Sequence, residues 1–373
     1  MSQRVPQNLP FFCLFLLAFL LPCNSSTSER QKHEHKIKGM FVFGSSLVDN
    51  GNNNFIKNTI ANVDFLPYGI DFPFGPSGRF TNGKNVIDLL GEHLGILSYI
   101  PPFTDPSTKG KKLVSGVNYA SGGSGILDDT GAFAGNVMNL NAQIRNFESV
   151  TLPDLEVQLR SKSRESLPQF LFVVGSGGND YSLNYFMGMV NSNVSLEEFT
   201  ANLTTTFSHQ LKRLYNLGAR KFALMAINPN GCSPMARASS LTRDGCVQHL
   251  NRAVHLFNAR LKTLVVTLRA QMPGSVLVFV NSYKVIRDII RDPASKGFNN
   301  TGTSCCEVAT INEGGTGILC KRGGSICKNR SSHVFFDGLH PTEAVNLVIA
   351  NKAYASNHKA EVYPMNLKQL SEI

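Results

Sequence analysis

Short apolar runs, each stopped by Gly, Ser or Asn, recur along the chain at Met40 to Phe43, Val117 to Ala120, Phe170 to Val174, Phe222 to Ile227 and Val276 to Val280. Runs of this length bounded by turn residues predict buried strands. Between them lie amphipathic stretches that predict helices: Val86 to Leu94, Leu140 to Phe147, Leu196 to Leu217 and Cys246 to Gln271. In the last, Leu250, Val254, Phe257, Leu261, Leu264 and Val265 recur at three and four spacing and make one apolar face. Gly218 and Gly274 stand where two of these helices should end. Alternating strands and helices over this length predict an α/β fold, a three-layer sandwich about a mostly parallel five-stranded sheet with right-handed crossovers. There is no internal repeat, and residues 281–332, rich in Gly, Asn and Cys, read as a long stapled excursion before a final helix. In such sheets ligands sit at the carboxyl ends of the strands, so the residues just after each strand are the ones to read for chemistry.

The first thirty residues bear on compartment. Arg4 precedes the apolar run Phe11 to Leu21, then Pro22, Cys23 and a small polar stretch, the pattern of a secretory signal peptide. We assign residues 1–26 to the leader and 27–373 to one domain. The run is about half the length that spans a bilayer, and no later segment supplies one, so a soluble, secreted, extracellular protein is expected. Six cysteines lie outside the leader: Cys232, Cys246, Cys305, Cys306, Cys320 and Cys327. An even count on an oxidising route suggests three bridges, and the absence of C-x-x-C spacing argues against zinc. A local Cys232 to Cys246 loop is the preferred pairing, with the other four linked among themselves. Glycosylation acceptors of the form Asn-x-Ser/Thr occur at Asn193, Asn202, Asn299 and Asn329.

Composition narrows the partners. Of 373 residues, 42% are hydrophobic and 17% charged, which suits a chain with a sizeable core. Lys and Arg number 36 against 26 Asp and Glu, a formal charge of +10. The densest basic run, Lys109, Lys111 and Lys112, is short and loop-like, so the excess reads as a basic surface and not as a nucleic-acid site.

Four segments could carry chemistry. Gly44-Ser45-Ser46 follows the first strand, where a serine would be exposed as a nucleophile or would simply bond within a turn. In Asp337-Gly338-Leu339-His340-Pro341-Thr342-Glu343 the carboxylate can accept from His340 Nδ1 and leave Nε2 free as a general base. The same residues could also serve as a helix start, with Pro341 at its first position and Glu343 near the positive end of the dipole. Ser121-Gly122-Gly123-Ser124-Gly125 and Gly177-Gly178-Asn179-Asp180 follow two further strands and offer backbone N–H groups and an amide that could bind an oxyanion, or turns. Gly78 to Asn85 nearly spells a phosphate loop, but Asn85 replaces the required Ser/Thr and no strand precedes it. His33, Glu34 and His35 lie in a polar tail, and His333 reads as a loop residue.

Taken in order, Phe41-Val42-Phe43-Gly44-Ser45-Ser46-Leu47-Val48-Asp49-Asn50-Gly51-Asn52-Asn53, Gly116 to Gly123, Gly177 to Asp180 and Asp337 to Glu343 resemble the plant GDSL esterase/lipases of the SGNH hydrolase superfamily. Gly78 to Lys84 and the six-cysteine pattern resemble that family too. The resemblance implies a flavodoxin-like α/β/α fold and an acyl-ester hydrolase with no metal or organic cofactor. It implies Ser46 as nucleophile, His340 as general base and Asp337 as the group that orients the imidazole. The oxyanion would be held by the Ser46 N–H, by Gly122, with Gly123 as runner-up, and by the Asn179 side chain. The implied substrate is an acyl ester, whether lipid, cell-wall ester or acylated small molecule, and acyl transfer to an alcohol is a variant of the same chemistry. The chain departs from the family in one place: Ser45 stands where Asp is usual, which implies reduced or altered activity. A non-catalytic extracellular binding protein on the same fold is the alternative that Ser45 leaves open. Pocket shape is expected to come from residues 52–74, 128–138 and 181–193, and Tyr181, Tyr185 and Phe186 could line an acyl site or simply pack.

Overall fold

The computed structural model describes residues 37–187, 193–238 and 245–373, so the expected leader and the His33 to His35 tail lie outside the described residues. Four of the predicted apolar runs are strands: β1 (Gly39–Gly44), β2 (Phe170–Gly175), β3 (Lys221–Met225) and β4 (Val276–Val280). They pair in parallel in that order, with Phe41 beside Phe172 and Phe172 beside Phe222. A separate parallel pair, β5 (Asn300–Ser304) and β6 (His333–Phe335), forms in the C-terminal third. The two-residue β7 (Val362–Tyr363) closes the main sheet antiparallel to β4.

Alternation along each strand explains the three layers. Phe41, Phe43, Phe170, Phe172, Phe222 and Leu224 enter a core shared with the helices Leu140–Asn146, Leu196–Leu217 and Gln248–Gln271. Their neighbours Met40, Val42, Leu171, Val173, Ala223 and Met225 enter a second core, under the helices Val86–His93, Ser282–Arg291 and Glu343–Ala355. Both faces of the sheet are therefore covered, which is why the strands read as continuous apolar runs. Fully burying a side chain such as Phe172 contributes roughly 1.5–3 kcal/mol.

The structure corrects the expected elements in several places. The run Val117 to Ala120 is not a regular strand. It touches β1 through one bridge, Val42 with Asn118, and through the bonds Val42 N–H to Val117 O and Tyr119 N–H to Val42 O. Beyond it the Ser121 N–H reaches Gly44 O, and the chain then turns away into the glycine segment. Counting this segment second, the parallel order is 2-1-3-4-5, the flavodoxin-like arrangement, whose switch point lies between β1 and β2. Ser46, Gly123 and Asn179 lie just beyond the strands and segment that meet there.

Helix ends differ by one or two residues except where caps are local. Leu196–Leu217 runs as predicted, because Ser195 and Glu198 close a capping box and Gly218 ends it at φ 122°. The next long helix starts at Gln248, since Cys246 is tied to Cys232 and Val247 is extended. Leu140–Asn146 continues without a break through a π turn, Phe147–Thr151, into Leu152–Leu159. Residues 281–332 begin with the helix Ser282–Arg291, so the irregular excursion is shorter than expected. It is stapled by Cys305–Cys327 and Cys306–Cys320.

Candidate active site

Glycine delivers the first serine loop. At Gly44 φ is 147°, and a Cβ there would stand 2.2 Å from Gly175 O, so only glycine lets β1 end against β2 at this point. The Gln143 side chain fixes that end, accepting from Gly44 N–H and donating to Gly44 O at 2.8 Å each. Ser46 then opens a single 3₁₀ turn, Ser46–Val48. Its Oγ lies 2.8 Å from His340 Nε2. His340 Nδ1 is 2.8 Å from Asp337 Oδ2 and 3.0 Å from Oδ1. All three residues are buried, with Asp337 wholly so.

The Asp-x-x-His spacing works by a tight return of the chain. Asp337 Oδ1 accepts from the N–H groups of Leu339 and His340 at 2.8 and 2.7 Å, which turns the imidazole back over the carboxylate. The remaining oxygen accepts from the Tyr68 hydroxyl at 2.6 Å. Burial and the neighbouring Asp337 push the Tyr68 phenol well above its usual range, so it stays a neutral donor. Phe80 lies against the other side of the imidazole, with ring centroids 4.9 Å apart. Thr342 occupies the N-cap position of the helix Glu343–Ala355, without a side-chain cap bond, so Pro341 stands one residue outside the cap and not at the first helical position; a short helix, Leu367–Ser371, follows later.

Around Ser46 several backbone N–H groups are held by an acid that sequence reading did not single out. Asp49, wholly buried, accepts from Gly51 and Asn52 N–H at 2.8 Å and from Gly122 N–H at 2.9 Å. Burial pushes its carboxyl up to about 6, against the opposing pull of those three N–H groups and of Arg79. The Gly122 N–H, expected to face an oxyanion, is thus spent on Asp49. Gly123 N–H and Ser46 N–H make no hydrogen bond among the described residues. Gly123 also lines the cavity beside Ser46, with Asn179 and His340, so the runner-up is the better placed glycine. Asn179 Nδ2 donates to Ser124 O at 2.9 Å and keeps a second hydrogen. Next to it, buried Asp180 accepts from Ile126 and Leu127 N–H at 2.9 Å and from the Thr130 hydroxyl at 2.8 Å, which ties the glycine segment to the Asn179 turn. Asn53 adds a clamp, donating to Gly122 O at 2.9 Å.

Two cavities meet at Ser46, Asn179, Leu339 and His340. One, of about 60 Å³, is apolar, with Ile60, Phe80, Phe133, Leu183, Ile318 and Leu319 in its wall. The three expected loops each supply part of it, and Ile318 and Leu319 come from the stapled segment, which sequence reading did not assign to the site. The other, of about 50 Å³, has Ser45, Ser176, Asn228 and Asn230 in its wall. Ser45 Oγ makes no hydrogen bond among the described residues, and the nearby backbone N–H groups are bound instead by the buried carboxylate of Asp49. Tyr181 packs and bonds Thr200, Tyr185 is part-buried, and Phe186 is at the surface.

The remaining candidates have other work. Gly78 to Asn85 holds no phosphate cradle: Arg79 pairs with buried Asp88 and Asn85 caps the helix Val86–His93. His333 lies in β6, its Nδ1 2.9 Å from Asn329 O. Cys305, Cys327 and His333 cluster, but the two sulfurs are bonded to each other. Asn193, Asn202, Asn299 and Asn329 are all exposed.

The flavodoxin-like sheet thus brings a serine hydroxyl, an imidazole and a carboxylate into one hydrogen-bonded line at its switch point, an arrangement met in serine hydrolases. The profile of the GDSL-like Lipase/Acylhydrolase family matches residues 40–353. GDSL esterase/lipase At1g29670 of Arabidopsis thaliana is 38% identical over 363 residues, covering 96% of this chain and 98% of the relative. GDSL esterase/lipase At5g08460 of the same plant is 39% identical over 382 residues, covering 100% and 97%. The chain belongs to the GDSL lipase/acylhydrolase family and is a carboxylic ester hydrolase. Among solved structures, LAE5, an α/β hydrolase from the metagenome of Lake Arreo, overlays with a TM-score of 0.37 at 13% identity, covering 85% of this chain and 94% of that one. A catalytic mutant of Axe2, an acetylxylan esterase from Geobacillus stearothermophilus, gives 0.37 at 13%, covering 84% and 91%.

Proposed function

We propose that this chain hydrolyses acyl esters through a covalent acyl-enzyme on Ser46. The observation that carries the reading is the unbroken line from Ser46 Oγ to His340 Nε2 and from His340 Nδ1 to Asp337, each step 2.8 Å. With Asp337 accepting at Nδ1, the neutral imidazole carries its proton there and Nε2 accepts from the serine. As Oγ attacks the ester carbonyl carbon, His340 takes the Oγ proton, and the imidazolium is stabilised by the buried carboxylate. The tetrahedral oxyanion is bound by the N–H groups of Ser46 and Gly123 and by the second Asn179 Nδ2 hydrogen. Collapse breaks the ester C–O bond and His340 gives its proton to the departing alcohol. Water, deprotonated by His340 in turn, then releases the acid and restores Ser46.

The non-catalytic alternative rested on Ser45, whose side chain has no bond to Ser46, His340 or Asp337, and no other feature of the site favours it. The reading extends to a secreted glycoprotein: a leader cleaved near Ser26, one domain over 27–373, and glycans on the four exposed acceptors. A fluorophosphonate should add one phosphonyl group to the folded protein, and peptide mass spectrometry should place it on Ser46. An adduct elsewhere, or none, contradicts the assignment.

A further inference from the structure

Among the described residues five buried side-chain atoms have no hydrogen-bond partner, and two of them, Ser176 Oγ and Asn228 Oδ1, belong to residues that line the same cavity beside Ser46. Both side chains are more than nine-tenths buried, at 6% and 9% exposure. They stand where β2 and β3 end, the edge at which a doubly wound sheet binds ligands. Ser45, in the same wall, has an Oγ that makes no hydrogen bond among the described residues and is not one of the five buried atoms. A buried polar atom is costly when unpaired, so an occupant able to bond Ser176 and Asn228 is favoured in this cavity over one that is not.

The chemistry of the wall selects the partner. Two hydroxyls can donate or accept, and an amide adds both an acceptor and a donor. Apart from His340, no ionisable side chain lines the cavity, so a carboxylate, phosphate or ammonium would be desolvated there without a counter-charge. A neutral hydroxyl fits on both counts. The opposite cavity, which also opens on Ser46, offers almost nothing but apolar side chains.

We propose that the serine and asparagine side of this cavity, at Ser45, Ser176 and Asn228, is a subsite for a hydroxyl group of the substrate, carried close to the scissile ester, while the opposite, apolar cavity takes the hydrocarbon part. The inference rests on the esterase reading and narrows it to hydroxylated esters. Such a hydroxyl could belong to the alcohol, as in a partly acylated polyol, or to the acyl group, as in a hydroxy acid.

Three esters separate these cases: propyl butyrate, 3-hydroxypropyl butyrate and propyl 3-hydroxybutyrate. The subsite predicts that kcat/KM for one hydroxylated ester exceeds that for propyl butyrate by about tenfold or more, since a site with buried polar groups discriminates against the analogue that leaves them unpaired. The ester that gains shows which side of the bond the cavity holds. In Ser176→Ala and Asn228→Leu that ratio should fall toward one. Turnover of all three esters without preference, or variants that keep the wild-type ratio, would overturn the subsite and leave the esterase reading standing. If the variants do not fold, the wild-type ratio alone decides. A wild type that hydrolyses none of the three overturns both.

Discussion

His340 owes its position to Asp337, and Asp337 is itself held by two backbone N–H groups and by Tyr68, which lies 269 residues away in sequence. The local part of that arrangement, Asp-x-x-His, was legible in the sequence because three residues suffice to build it. Tyr68 was not, since nothing near it marks a partner so distant. Asp49 is the more instructive case. It stands inside the motif that pointed to Ser46, and an acid near glycine and asparagine reads as a turn former, as its bonds to Gly51 and Asn52 show. Its third bond, to Gly122 N–H, crosses 73 residues, and the proposed oxyanion donor is therefore the next N–H group, that of Gly123. An amide offers one acceptor oxygen where the carboxylate offers two, so in Asp49→Asn an N–H group must meet another. We expect kcat to fall about tenfold or more, a part of what a whole oxyanion donor is worth, with KM little changed. The same residue gives a pH signature. Its folded carboxyl titrates at about 6 against an ordinary 3.8, so the folded state binds the proton more tightly than the unfolded chain. This group therefore adds stability as pH falls from about 6 toward 3.8, and the gain is absent at pH 7. Denaturant unfolding of wild type relative to Asp49→Asn should show a difference that shifts in favour of wild type by about 2 kcal/mol between pH 7 and pH 4. A shift of opposite sign would contradict the burial argument.

Elements with signals at both ends were read to the residue, as Leu196–Leu217 shows with Ser195, Glu198 and Gly218. Elements whose limits depend on distant contacts were not. Val117 to Ala120 has strand composition, yet away from β1 its backbone meets residues 101–103 and the Asn52 side chain, and it then enters the glycine segment, so the ladder does not extend. The two residues of β7 are too few to carry a pattern. The stapled segment is the functional surprise, because Cys306–Cys320 brings residues 316–319 over the apolar cavity. The link spans 14 residues of sequence, a loop for which a bridge contributes about 3 kcal/mol. Replacing both cysteines by serine should lower the unfolding free energy by about that amount and raise KM for apolar esters several-fold, with a smaller change in kcat. A lower melting temperature with KM unchanged would show that this segment does not form the acyl wall.

At the scale of the molecule, the core and the site follow from one pattern. Strands apolar on both faces require helices on both faces, the crossovers reverse direction between β1 and β2, and the loops that leave that point carry Ser46, Gly123 and Asn179. The late loop bearing Asp337 and His340 comes to the same edge from β6. Compartment is a separate matter, and the leader proposed over residues 1–26 has its own test. Expressed with its own leader in plant or insect cells, the protein should appear in the medium with an N-terminus near residue 27, and should lose mass on glycosidase treatment; retention with an intact leader would contradict this. The central claim is that Ser46, served by His340, performs the chemistry. Its most direct test is hydrolysis of a short-chain chromogenic ester by wild type and by Ser46→Ala, both shown to be folded. The account predicts ready turnover by wild type and loss of at least a thousandfold in the variant. Equal rates in the two would place the chemistry elsewhere, and a folded wild type without turnover would contradict the mechanism itself.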